Sequence, residues 1–254
     1  MPATHLKEKI LSITSNSNEK FNLHFDGILG RWCRVSQFIW DIQFDWFAAN
    51  WRCSPQREAL FLLLNNARVD LVSAIDSFGD GFLRGPNLLA KSSLEKVSAV
   101  VKLSNDEKNL DKFLKGNVID KKWVIEVGKQ YPEISTLYRF IESNFTHDPF
   151  ASFAGAYAVR DCEIDKHITP PYVDHYLGIR WATIYSIQSS LLISAQFSDL
   201  FLNGGVNLWK EENGKIKTVH SPFHHDMDFV LQESEKNNKF LQEKYPGELK
   251  VFKF

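Results

Sequence analysis

The strongest constraint on this chain is its punctuation: prolines open, and glycines close, successive runs whose apolar residues recur every three or four positions. From Ile28 to about Trp51 the residues Trp32, Val35, Phe38, Ile39, Ile42, Trp46 and Phe47 follow that spacing, the period of one face of an α-helix. "CSPQREALFLLLNNARVDLVSAIDSFGDG" begins a second run. Ser54 can cap its free amides, Pro55 suits its first turn, and Gly79 and Gly81 end it. Apolar residues surround much of this helix, which predicts a central, buried position. After a turn at "RGPN", Pro86 opens "PNLLAKSSLEKVSAVVKL", with Leu89, Leu94, Val97 and Val101 along one side. A short helix near Asp106 to Leu114 closes at Gly116. "PEISTLYRFIESNFTH" again follows a proline and places Ile134, Leu137, Tyr138, Ile141 and Phe145 at helical spacing. "PYVDHYLGIRWATIYSIQSSLLISAQFSDLF" is the next long helix, ended by Asn203-Gly204-Gly205.

The pattern then changes. "VNLWKEENGKIKTV" holds Asn213-Gly214 between two extended, partly alternating runs, a strong short-range hairpin signal. Pairing around that turn sets Leu208 opposite Val219. A last helix, about Asp228 to Tyr245, stops at Pro246-Gly247. The expected architecture is one all-α, bundle-like domain over residues 1–254, with a small β-hairpin over 206–219 and a C-terminal helix over 228–245. The polar residues 1–25 are expected to be loosely ordered, and no repeat or linker divides the chain.

Composition narrows the function classes. Thirty Lys and Arg stand against 31 Asp and Glu, a formal net charge of -1. No global field draws nucleic acid or an anionic membrane, so any such binding needs a local patch. Twenty Phe and 7 Trp point to a core filled by large rings. Cys33, Cys53 and Cys162 are scattered, with no CxxC pair, so neither a zinc ribbon nor a disulfide framework is indicated. The N-terminal "MPATHLKEKILSITSNSNEK" lacks the apolar core of a signal peptide. The apolar stretch "ALFLLLNNARVDLV" is broken by Asn65, Asn66, Arg68 and Asp70, too soon for a membrane span. A reduced, cytoplasmic protein with no membrane partner is expected.

Two segments carry a family resemblance. "LLAKSSLEKVSAVVKL", with Glu95 in a small-residue setting, resembles a helix of bacterial all-helical proteins of the HEPN-like type. "YPEISTLYRFIESNFTHDPF" resembles their later helix, aromatic, serine-containing and ending in His. The resemblance spans at most residues 55 to 200. It implies an all-helical fold, a place in abortive-infection or toxin–antitoxin systems, and a protein partner or a homodimer. In the nuclease members an Arg and a His on one helix cut RNA. The Arg stabilises phosphate charge, and the His moves the proton of the attacking 2′-hydroxyl. The matching positions here are Arg139 and His147, with seven residues between them, against the four to six of the nucleases. On a regular helix that separation is about 80° around the axis and about 12 Å along it. Phe140 follows Arg139 where the nucleases carry a polar residue.

Other constellations compete for a role. "HSPFHHDMDF", residues 220–229, brings together His220, His224, His225, Asp226 and Asp228. Imidazole and carboxylate donors suit a divalent metal such as zinc, manganese or iron, with His167 or His175 as a further ligand. The same Asp226 or Asp228, just before "FVLQESEK", is also what a helix N-terminus takes as its cap; the capping reading is the expected one. The adjacent pair His147-Asp148, with His24 and Asp161 or Asp174, has the residue types of a helical metal-dependent phosphohydrolase. "DCEIDKHITPPYVDHY" is a polar loop entering a long helix, and Glu95, His167 and His175 are candidate pocket residues. No phosphate loop, dinucleotide fingerprint or nucleophile elbow occurs. The sequence therefore points to a helical interaction or ligand-binding module, without a cofactor. A metal-independent RNase using Arg139 and His147 is the first alternative, and a metal-dependent hydrolase using the His220–Asp228 cluster the second.

Overall fold

A computed structural model describes residues 28–50, 54–79, 84–104, 107–115, 122–146, 170–203, 209–212 and 215–218, together with Gln232, Lys239 and Glu243. The architecture is helical: α1 (28–49), α2 (Pro55–Gly79), α3 (Arg84–Ser104), α4 (Glu107–Leu114), α5 (Lys122–Val127), α6 (Pro132–Ile141) with a π-helical turn Glu142–Thr146, and α7 (Pro170–Asn203). Beyond α7, β1 (Trp209–Glu212) and β2 (Lys215–Thr218) pair antiparallel, with Glu212 opposite Lys215 and Trp209 opposite Thr218. Asn213, Gly214, Leu208 and Val219 lie outside the described residues, as does most of the expected last helix. Its described members, Gln232, Lys239 and Glu243, are helical, and Lys239 pairs with Glu243 four residues on, at 3.8 Å.

Local chemistry explains the helix ends. Ser54 accepts the Arg57 N–H at 3.4 Å and caps α2 ahead of Pro55. α3 starts at Arg84, two residues before the expected Pro86. That places Pro86 in the first turn, where its missing N–H needs no partner. α5 was not foreshadowed by periodicity. Six residues are too few to display a period, and only Val124 and Val127 mark its buried side.

The helix directions follow from pairs of contacts. Trp32 meets Phe78, and Phe47 stacks on Phe61 at 4.9 Å, so α1 and α2 are antiparallel. Lys96 pairs with Asp70, while Gly85 faces Ser77, so α3 runs antiparallel to α2. Tyr138 reaches Glu95 and Glu142 reaches Lys91, which sets α6 antiparallel to α3. Tyr131 meets Phe197 edge-on at 5.0 Å, and Phe140 meets Tyr185 at 5.2 Å, so α6 is antiparallel to α7 as well. Helices α1, α3 and α7 therefore share one direction, with α2 and α6 opposed.

The central element is α7, and this corrects the expectation for α2. Every residue from Ala182 to Asp199 is buried except Gln196, which is half-buried. One hydrophobic cluster gathers around it from α1, α2, α3 and α6, with Trp32, Phe78, Phe140, Phe145 and Phe197 fully enclosed. Helix α2 buries Leu64, Ala67, Leu71, Ala74 and Phe78 along one side but leaves Leu62, Val69 and Val72 exposed. Apolar residues all round a helix require neighbours all round, and α2 has them on one side only.

Gly128, in the turn between α5 and α6, marks the tightest approach. A Cβ there would overlap Ser135 Cβ and Oγ and stand 3.1 Å from the Val124 carbonyl oxygen. Gly128→Ala should therefore destabilise the fold by about 1–3 kcal/mol, as overpacking does. A chemical denaturation midpoint equal to the wild type would contradict this packing.

Candidate functional site

Side chains four apart share one side of a helix. Lys91 and Glu95 are such a pair on α3; Tyr138, on the antiparallel α6, and Glu142, at the start of the π-turn that follows it, are also four apart. The two pairs interlock. Tyr138 Oη donates to Glu95 Oε1 at 3.0 Å, Lys91 Nζ donates to Glu142 Oε1 at 3.2 Å, and the Lys91 ammonium lies 4.8 Å from the Tyr138 ring centroid. Burial raises the Tyr138 phenol above its ordinary range, and the negative Glu95, which accepts its proton, adds to the effect. The phenol therefore stays protonated and its proton is committed to Glu95. This cluster holds α3 against α6, and it gives Glu95, a pocket candidate, a partner within the fold.

Arg139 is exposed on α6, one residue beyond Tyr138. Phe140, where a nuclease would carry a polar group, is buried in the core, edge-on to Tyr185 and to Phe145 at 6.3 Å. From Glu142 to Thr146 the backbone widens into a π-turn. The wider turn carries Phe145 into the core at 0% exposure. His147, His167, His220, His224, His225, Asp226 and Asp228 lie outside the described residues. His175 falls on the first turns of α7, where only the backbone is described. Among the described residues, no group of three His, Cys, Asp or Glu side chains is placed to hold a metal.

A second feature escaped the sequence reading. On the outer side of α1 and α2, Phe44 is 51% exposed, Leu62 47%, Val69 43%, Val72 41% and Phe47 39%. Phe44 stacks on Trp40, and the Arg68 guanidinium covers the Trp40 ring at 4.7 Å while donating to Asn65 Oδ1 at 3.5 Å. Desolvation lowers the Arg68 pKa from its usual value. The clue was present in the sequence: an α2 apolar on every side has more such surface than one core can take.

No helix among the described residues is long and apolar enough to cross a membrane. No family model, curated protein or solved structure matches this chain.

Tyr138 and Tyr185 are both held above the ordinary tyrosine range, Tyr185 chiefly by burial. Below about pH 10 the folded and unfolded states both keep these protons. Above it the unfolded chain releases protons that the folded chain retains, so stability falls as pH rises. The paired variant Tyr138→Phe/Tyr185→Phe should lose stability less steeply between about pH 10 and 12 than the wild type. Denaturant titrations across that range with equal slopes in both proteins would refute the assignment.

Proposed function

We propose that this chain is a helical interaction module of a bacterial defence or stress system, which pairs with a second copy of itself through the outer face of α1 and α2 and acts without chemistry of its own. The observation that carries this reading is the exposed run of Phe44, Phe47, Leu62, Val69 and Val72. Large apolar side chains left exposed together on neighbouring helices are the raw material of protein interfaces. The same two helices carry the Arg68–Trp40 stack, and arginine and tryptophan are among the residue types that dominate interface energetics. An antiparallel helix pair also offers the same elongated face to a two-fold mate, as an isologous dimer requires. The setting in bacterial defence rests on the HEPN-like resemblance of "LLAKSSLEKVSAVVKL" and "YPEISTLYRFIESNFTHDPF". Sedimentation analysis of the full chain should give a concentration-dependent dimer. Phe44→Glu/Val69→Glu should return it to monomer with unchanged helicity. A wild type that stays monomeric up to its solubility limit would sink the reading.

One observation keeps an RNase reading alive: Arg139 is exposed, where a phosphate could reach it. The expectation is nevertheless that the isolated chain does not cut RNA efficiently. Phe140 faces the core, and the net charge of -1 gives no attraction for a polyanion. Mixed cellular RNA incubated in chelator with wild type, Arg139→Ala and His147→Ala decides between them. Cleavage that both substitutions abolish would replace the interaction reading with the nuclease one.

A further inference from the structure

We draw no further inference here: the strongest candidate, the half-buried Arg68 guanidinium stacked on Trp40 on the outer side of α1 and α2, belongs to the face already assigned to a second copy, and nothing in the structure shows which group would cover it.

Discussion

The burial of α7 on every side is the constraint from which the rest of the arrangement follows. A helix enclosed from Ala182 to Asp199 needs neighbours around its whole circumference, and α1, α2, α3 and α6 supply them. Its sequence allows this because residues 182–198 carry no charged side chain. The cost is polar: hydroxyls and amides enter the core with it, and each must find a partner. Some are satisfied within α7 or α3, and others by the bonds Asn87–Thr183 and Gln43–Ser198. Those two bonds also specify the register of α7 against α3 and α1, which aliphatic packing alone would leave less sharply defined.

Stability and specificity come from different groups. The large rings of Trp32, Phe78, Phe140, Phe145 and Phe197 are fully buried, and truncating one such ring to alanine typically costs about 3–5 kcal/mol. The ion pairs along α3 join it to three other helices: Lys96 to Asp70 on α2, Lys91 to Glu142 beside α6, and Lys102 to Glu126 on α5 at 2.7 Å. Partly exposed pairs of this kind contribute about 0–1 kcal/mol each. Their value is directional. Each is compatible with one placement of α3 and opposes a slipped one.

The same economy separates the two surface features. In the Lys91–Glu95–Tyr138–Glu142 cluster every side chain already has a partner, so its chemistry is consumed in holding helices together. On the outer face of α1 and α2 the large apolar side chains stand open to solvent. That difference, rather than any single residue type, directs the functional reading to the α1–α2 face.

The sequence by itself determined the all-α character and most helix limits, because those depend on local chemistry. Pro55 with Ser54, Pro132 and the 3.6-residue spacing act within a turn or two of where they stand. It also carried Arg139 and Glu95 as notable residues. What it could not specify was which helix would be surrounded. The apolar residues around α2 predicted a central place for it, yet the serine-rich α7 is central and α2 keeps Leu62, Val69 and Val72 outside. Small hydroxyl residues are nearly neutral in hydropathy. Whether they are buried depends on how closely neighbours approach and on whether each hydroxyl finds a partner. The π-turn after Ile141 was hidden for a related reason, since the burial of Phe145 depends on helices such as α3 that pack against the turn. An apolar face states that it must be covered; only the assembled tertiary structure decides by what, because the covering groups come from distant parts of the chain.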